Sequence, residues 1–580
     1  MRRVAAIVVA AVACVASACG GTEDGAQSSR HLDPRSDAVV AIDLDYDGDN
    51  WRQVKRLYAR AVEQGAFEVG EFTPPTLDGG LDLLAESVDM SFEEDIRPLL
   101  EGTLQIGVRT EPAPPLSAQA RDVLEQLDQG ATRERDGVPR YHDYDGRPMD
   151  TAAVEAALDE QLMREPSTTV TVVYRAPDAD ALQRVLEKLR DQGLKPRPIE
   201  GIDGAQRLDS GIAMLGEDTI VAVLSDRAEE EQEALLRQRL QATGGGPELP
   251  ELGEFLVAAR LAPAVLGNWM DRDELQRALA SSAGRALRGA DLRLKLDEDA
   301  LRASARVDFD GLGADELPLP GPGPLALPAG EGLASASANQ SLTTVFLARL
   351  ARELYPDSRF VRRVERLEAR EGLKFEDAVL RQFSGPSFSV LRPGRDGAVA
   401  FGARSTVRDP AEMRALLDRI ATDLPGILEG LQGLGSTGLT GLLLVAPDAP
   451  LTPSAFGLLA AVDVRRLVGA ASEHLYEVSG LDASGAQAGP DRVVYGLVGD
   501  AFVVASSAEL AREVAAMRPE EAPEAATRIR LDVDALLERV GGLLDEEDVK
   551  AARALLSGAE ASASAEDGDV VAEAEVRWAR

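Results

Sequence analysis

The chain contains very little cysteine. Of its 580 residues only two are cysteines, Cys14 and Cys19, and both lie close to the N-terminus. The body of the chain therefore lacks a disulfide, a thiol nucleophile and a cysteine ligand for a metal. Histidine is also scarce, with 3 residues, and none of them lies in HExxH or another recognised spacing. No G-x-S-x-G elbow or Walker loop occurs either, so the sequence has no recognisable catalytic set.

Positive charge is the second scarcity. Asp and Glu number 99 against 62 Lys and Arg, which gives a net charge of −37. A surface this acidic repels phosphate backbones, so we expect no nucleic-acid partner and interpret the charge as a source of solubility. Apolar residues make up 44% of the chain, which is ample for packed cores. The length predicts roughly three to four domain-sized units.

The N-terminus has the features of an export signal. A basic start is followed by an apolar run too short to span a bilayer, and then by small residues that end at Cys19. Small residues before a cysteine resemble the lipobox of bacterial lipoproteins, which implies that 1–18 is a signal peptide and that Cys19 is acylated. Ala16 and Ala18 also fit an ordinary signal-peptidase site, which would give a secreted protein. Residues 19–35 are polar and aperiodic, and we expect a flexible tether there.

A stretch rich in proline and glycine, 311–330, divides the body in two. Because proline cannot continue a helix and glycine loses the most entropy on ordering, we expect a semi-rigid linker. Blocks on its two sides resemble each other and occur in the same order. A helix capped by Asp178 has a counterpart capped by Asp409, and the acidic turn at Asp297 has a counterpart at Glu566.

The matched blocks indicate an internal duplication, with one repeat over 36–310 and the other over 331–580. Each repeat alternates hairpins with helices, which predicts an α+β fold. We expect two duplicated lobes, each a mainly antiparallel sheet with helices packed on it, and a crevice between them as the default ligand site. The alternative is that two unrelated halves look alike at this level. The further matches are Leu182, Val185, Leu186 and Leu189 with Met413, Leu416, Leu417 and Ile420; Phe92 and Gly102 with Phe375 and Gly385; 218–221 with 500–503; and Gly289, Ala290 and Asp291 with Gly558, Ala559 and Glu560.

Three features together resemble a known family. They are the lipobox-like leader, the opening strand DAVVAIDLD at 37–45, and glycine-aspartate hairpins such as VGDAFVVASS at 498–507. This combination resembles the uncharacterised bacterial lipoprotein family called domain of unknown function 3352, over most of the mature chain. The family carries no assigned activity, cofactor or catalytic residue, so the resemblance implies a lipoprotein and adds nothing about chemistry.

One acidic pattern resembles a metal-binding motif. Asp43, Asp45 and Asp47, followed by Gly48, have the opening spacing of an EF-hand calcium loop, yet the twelfth position is Val54 instead of Glu. We expect a solvated strand end and the start of a helix at this point. Metal binding by the three aspartates is the alternative.

A second pattern matches a motif in its letters only. The glycines of 433–438 have the dinucleotide-fingerprint spacing, but that motif must follow a strand and open a helix, so we expect a turn. Hydrogen-bonded or surface positions are expected for the three histidines, which are His31, His142 and His474.

The sequence thus predicts a location more specifically than an activity. We expect an exported protein held by lipid at the outer face of the cytoplasmic membrane, with no cofactor. Its role is expected to be non-enzymatic, binding or scaffolding an unknown envelope protein or small ligand. Two alternatives stay open. One is a bilobed solute-binding lipoprotein that closes about the linker, and the other is a hydrolase that uses carboxylates.

Overall fold

The structure is a computed structural model that describes most of the chain from Ser29 onward. The described residues form an α+β fold in which the paired strands are antiparallel and helices pack on the sheet, as the sequence predicts. The described ranges are 29–63, 76–127, 133–135, 138–141, 147–162, 166–225, 228–243, 246–268, 270, 272–313, 316–328, 334–356, 359–393, 399–420, 463–467, 472–479, 492–517, 519–534, 537, 552–553 and 555–579.

The first half begins with a strand and alternates helices with hairpins. The Asp178 carboxylate accepts a hydrogen bond from the Ala181 amide at 3.0 Å and so begins helix α5. The elements are β1 (Ala38–Asp43), α1 (Asp49–Glu63), α2 (Leu77–Glu86), β2 (Thr103–Glu111), α3 (Ala118–Gln126), β3 (Arg133–Arg135), β4 (Val138–Arg140), α4 (Thr151–Leu162), β5 (Ser167–Arg175), α5 (Ala179–Asp191), β6 (Arg197–Pro198), β7 (Ala205–Asp209), β8 (Ile212–Leu215), β9 (Thr219–Ser225), α6 (Glu229–Leu240), β10 (Val257–Leu261), α7 (Arg272–Ala280), α8 (Ser282–Ala286), β11 (Leu287–Leu296) and β12 (Ala300–Phe309).

The second half has a similar order of elements, but only residues 394–398 separate β15 from β16, where the first half has α3, β3, β4 and α4. Asp409 caps helix α12 as Asp178 caps α5, accepting from the amides of Ala411 and Glu412, each at 2.9 Å. The elements are β13 (Gly323–Pro328), β14 (Ala334–Asn339), α9 (Gln340–Leu354), α10 (Arg359–Glu371), α11 (Phe375–Ala378), β15 (Phe383–Pro393), β16 (Val399–Val407), α12 (Pro410–Ile420), β17 (Asp463–Arg466), β18 (Glu473–Ser479), β19 (Arg492–Val498), β20 (Ala501–Ala505), α13 (Ala508–Ala516), β21 (Pro519–Ala525), β22 (Thr527–Asp532), β23 (Leu556–Glu566) and β24 (Asp569–Trp578).

One sheet of 20 strands runs through both halves. Two small two-stranded sheets, β3 with β4 and β13 with β21, lie outside it. From one edge to the other the strands of the large sheet are β6, β7, β8, β9, β5, β2, β1, β10, β11, β12, β24, β23, β22, β14, β15, β16, β20, β19, β18 and β17.

The strand order in the second half is the first-half order read from the opposite edge. Each block matched in the sequence lies on a corresponding element: the Asp218 turn joins β8 to β9 and the Asp500 turn joins β19 to β20. Phe92 is buried and precedes β2, and Phe375 is buried and precedes β15, the strand that corresponds to β2. In order, β1, β2, β5, β6, β7, β8, β9, β10, β11 and β12 correspond to β14, β15, β16, β17, β18, β19, β20, β22, β23 and β24.

The halves meet where the last strand of each pairs with the other. In this seam β12 lies antiparallel to β24, with Leu301 opposite Val576, Ser304 opposite Glu573 and Val307 opposite Val570. In the sequence match of the β11 and β23 blocks, Leu301 corresponds to Val570 and Val307 corresponds to Val576. The pair of Leu301 with Val576 is therefore the counterpart of the pair of Val307 with Val570. The pairing is therefore symmetric, with a pseudo-two-fold axis normal to the sheet at Ser304.

The predicted linker 311–330 connects the halves, but it is more than a spacer. Its second part forms β13, which pairs with β21. Leu319 and Leu325 are buried. The short apolar run Pro-Leu-Ala-Leu-Pro of β13 suits a strand of a two-stranded sheet, because an edge strand tolerates proline. The linker is thus packed onto the second half.

The predicted tether 19–35 needs a correction over its described part. Ser29, His31, Leu32 and Asp33 are all buried against the first half. Leu32 packs with Val39 of β1. The polar composition of the stretch predicts a flexible segment, but its polar groups find specific partners in the folded body.

Candidate functional site

The centre of the sheet is a six-stranded region that we call the central bridge: β10, β11, β12, β24, β23 and β22. Directly paired residues of antiparallel strands point to the same face of a sheet. At the seam, Ala303 is opposite Ala574 and Ala305 is opposite Ala572. The rows that contain these pairs share one face, here named the apolar bridge face. The rows are Val257, Leu294, Ala303, Ala574, Ala561 and Ile529; Ala259, Leu292, Ala305, Ala572, Ala563 and Thr527; Leu296, Leu301, Val576, Ala559 and Leu531; and Leu261, Ala290, Val307, Val570 and Ala565.

The apolar bridge face is large and only partly covered. Six strands and four rows span about 24 Å by about 20 Å. None of the described side chains in these rows is charged, and most are partly exposed, with Leu292 at 38%. Leu319 of the linker covers one corner, at Ala563 and Val570. At the first-half end, Val257 and Leu296 pack against the helical cluster of that half. Because the two central pairs of the seam are alanine pairs, the middle of the remaining surface is smooth.

The opposite face of the bridge is charged, and several of its charges form ion pairs. The Arg302 guanidinium donates to Glu575 at 3.1 Å and the Arg577 guanidinium donates to the same carboxylate at 2.6 Å. These bonds, with Arg577 contributing most, hold the pKa of the Glu575 carboxyl below its ordinary value. Arg306 pairs with Asp569 beside them. We call this the charged bridge face; its charged groups are favourably solvated by water.

Helix layers stand at both ends of the apolar bridge face. In the first half, the row through Val257 continues by pairing into Ile42, Leu104 and Tyr174. These residues join the cluster with Leu182 of α5, which therefore lies on the apolar side. In the second half, the corresponding face carries the cluster that α9, α10 and α12 share with Val504 and Tyr495. The apolar bridge face is thus the floor between two helical layers.

A second contact also joins the halves. Leu275 and Ala278 of α7 pack in the cluster that contains Val345 of α9. Beside them the Ser282 amide and hydroxyl donate to the Glu353 carboxylate at 2.7 and 2.8 Å. The two halves are therefore connected by the seam and by helix packing.

The three EF-hand-like aspartates do not converge. Asp43, at the end of β1, accepts a hydrogen bond from Asn50 Nδ2 at 2.9 Å, and burial raises its pKa to about 6. Asp47 pairs with Arg97 at 2.9 Å, and the backbone oxygen of Asp45 accepts from the Gly48 amide. Within the described part of the chain, no group of three or more His, Cys, Asp or Glu side chains is placed to hold a metal ion.

His474 lies in a buried polar cluster on β18. Arg466 Nη2 donates to His474 Nδ1 at 2.9 Å, so the proton of the neutral ring is on Nε2, which faces Asp418 Oδ1 at 3.0 Å. The Tyr476 hydroxyl donates to the same carboxylate oxygen at 2.9 Å. Burial lowers the pKa of His474 although Asp418 opposes this effect. The cluster ties α12 to the edge strands β17 and β18, and both ring nitrogens are engaged.

The buried residues before β1 form a second polar cluster. We call residues 29–36 the N-terminal latch. His31 Nδ1 donates to the Arg239 backbone oxygen of α6 at 3.0 Å, because Nε2 accepts from Arg30 at 3.1 Å. Asp33 forms a buried ion pair with the Arg239 guanidinium. The single apolar residue Leu32 is the only sequence signal of this packing.

Several residues singled out in the sequence lie outside the described residues. They are Cys19, His142 and the glycines of 433–438. In the part of the chain that the structure does describe, none of the helices combines the length and apolar character that a membrane crossing requires.

Comparisons with known proteins identify no family for this chain. No protein-family model matches the chain, and no curated protein matches it. Crystal form I of TP0453 matches at 8% identity over 50% of this chain and 82% of that chain, with a TM-score of 0.22. Crystal form III of TP0453 matches at 8% identity over 49% and 80%, with a TM-score of 0.21. Similarity at this level carries no argument about fold or function.

Proposed function

We propose that this is an exported binding protein, anchored by lipid on Cys19 to the outer face of the cytoplasmic membrane, that holds an apolar ligand without catalysing a reaction. The observation that carries the proposal is the apolar bridge face. It is uncharged and partly exposed in a chain whose net charge is −37. Contiguous apolar patches of several hundred Å² on monomeric proteins are often binding sites.

The chemistry of the floor favours an uncharged molecule with an alkyl chain. Alanines at the seam, such as Ala303 and Ala574, leave a smooth surface along which a chain can make many carbon contacts. The acidic protein repels anions. The ligand therefore contributes apolar area, and specificity arises from the shape of the floor and the helical layers beside it.

We also infer that the two halves arose by duplication. The shared strand order and the symmetric seam around Ser304 support this inference. So does the position of the matched helices α5 and α12, each between the third and fourth corresponding strands. Because the two repeats meet at the same edge, each contributes three strands to the central bridge. The apolar bridge face is therefore twice as wide as one repeat would provide.

The two alternative functions find less support. A solute-binding protein that closes about 311–330 needs its lobes to move independently, whereas here β12 and β24 are hydrogen-bonded along their length. A carboxylate hydrolase needs a pair of carboxylates facing a cleft. The sequence singles out no such pair among its many acids, and Asp43 and Asp47, which it singles out for a metal, contact Asn50 and Arg97.

The binding proposal is tested with N-phenyl-1-naphthylamine, an uncharged dye that fluoresces in apolar surroundings. The wild-type protein is expected to bind it. Ala303→Arg is expected to weaken binding by about tenfold or more, because a charged group placed on the floor must be desolvated when the dye binds. The measurement is a fluorescence titration, with circular dichroism to show that the variant is folded.

The matched control is the next residue along the strand. Ser304 lies on β12 but points to the charged bridge face, opposite Glu573. Ser304→Arg is expected to bind the dye as the wild type does. Equal loss in both variants, or no dye binding by the wild type, would contradict the assignment of the floor.

The anchor has its own test. Cys19→Ser removes the thiol that a lipid would occupy, so the body is expected to move from the membrane fraction into the medium. Immunoblots of the two fractions measure this. Continued retention in the membrane would show that another element holds the protein there.

A further inference from the structure

The N-terminal latch lies on the side of the sheet opposite the apolar bridge face. Leu32 packs with Val39 and Val173, which alternate with the residues of the apolar side. A side chain at Gly107, the partner of Val39, would meet the Ser36 hydroxyl oxygen at 2.6 Å and Leu32 at 3.4 Å. Helix α6, which holds the latch through Arg239, packs on the same side. The chain therefore leaves the body from the latch side.

The latch is held tightly at its first described residue. A Cβ added at Gly246 would come within 1.9 Å of the Ser29 backbone oxygen, so glycine is required for this close approach. Between Cys19 and Ser29 the chain reaches at most about 35 Å even when fully extended. A lipid on Cys19 thus keeps Ser29 close to the bilayer.

Turning the protein over would use most of this reach. Helices α1, α2 and α5 form a layer on the apolar side. A path from the latch to the outside of that layer covers about 30 Å through the thickness of the protein, before the additional distance around a strand end. A lipid on Cys19 therefore holds the latch side nearer to the membrane than the apolar bridge face.

We infer that the latch side of the first half faces the lipid surface and that the apolar bridge face opens toward the aqueous compartment. The inference rests on the lipid anchor of the proposed function. It implies that the ligand reaches the floor from water, or from a partner that approaches from the side away from the membrane, and not directly from the anchoring bilayer.

The test uses the scarcity of cysteine. With Cys14 removed in the leader and Cys19 acylated, a single new cysteine can be labelled with a fluorescent donor. Glu230→Cys on α6 and Glu86→Cys on α2 replace exposed glutamates on opposite sides of the first half. The lipidated protein is reconstituted in phosphatidylcholine vesicles that carry an acceptor on the lipid headgroups.

Energy transfer to the headgroups is expected to be at least about twofold greater from position 230 than from position 86, because the two helical layers lie about 20 Å apart. Inserting twenty Gly and Ser residues after Gly21 is expected to remove the difference. Equal or reversed transfer with the natural tether would overturn the orientation. Failure of the protein to float with the vesicles would instead overturn the anchor, so the two failures are distinguishable.

Discussion

Replacing Asp33 with alanine is expected to lower the free energy of unfolding by about 3–5 kcal/mol, since it leaves a buried guanidinium without its partner. Asp33 and Arg239 are 4% and 5% exposed. Burial lowers the pKa of Arg239, and the negative charge of Asp33 opposes this decrease. Arg109 also lies 3.5 Å from the same carboxylate. Urea denaturation followed by circular dichroism measures the change.

The control separates charge from packing. In the double variant Asp33→Leu with Arg239→Leu both charges are gone, so most of the lost stability is expected to return. The exposed pair of Arg52 and Asp49 provides a surface reference, where Asp49→Ala is expected to have little effect. If Asp33→Ala behaves like Asp49→Ala, the latch does not dock as described.

Truncating a corresponding core leucine in either half is expected to destabilise the whole protein. Leu186 of α5 and Leu417 of α12 are 2% and 1% exposed. Leu186→Ala and Leu417→Ala are each expected to cost about 2–5 kcal/mol through lost burial and the cavity left behind. Because the seam joins both halves in one sheet, each variant is expected to shift the same single unfolding transition.

Thermal and urea unfolding of the two variants test this coupling. Exposed residues of the same helices provide the controls: Glu187→Ala on α5 and Ala415→Lys on α12 are expected to leave the midpoint nearly unchanged. Two separate transitions, with Leu186→Ala moving one and Leu417→Ala moving the other, would show that the halves unfold independently. The seam would then contribute little to cooperativity.

The helices and hairpins were predictable because their signals are local. Asp178 and Asp409 cap helices through hydrogen bonds to amides three residues or fewer away. The apolar positions of α5 and α12 recur at helical spacing and are buried in both halves. Matched blocks could be aligned because they carry these local patterns in the same order.

The latch could not be predicted for a physical reason. Its stability comes from Arg239, which is far from Asp33 in the sequence, and from the close approach of Gly246. A polar stretch with one leucine has no periodicity that distinguishes a docked segment from a tether. The same applies to His474, whose partner Asp418 lies on α12.

The apolar bridge face could be predicted from the sequence only in part. The alternating pattern of β11, β12, β23 and β24 predicts two faces for each hairpin, one apolar and one charged. It does not say which strand pairs with which. Only the pairing of β12 with β24 joins the four strands and aligns their apolar rows.

By itself the sequence determined the class of the fold and the exclusion of cysteine chemistry from the body, and it indicated that the halves are alike, because composition, caps and periodicity act within a few residues. The tertiary structure alone decided that the halves share one sheet, that the chain leaves from the side opposite the apolar bridge face, and that this face lies at the centre. Each of these depends on contacts between residues hundreds of positions apart, such as Ala303 with Ala574. Hydrogen bonding between strand edges and the burial of Leu32 select those contacts, and no local pattern encodes them.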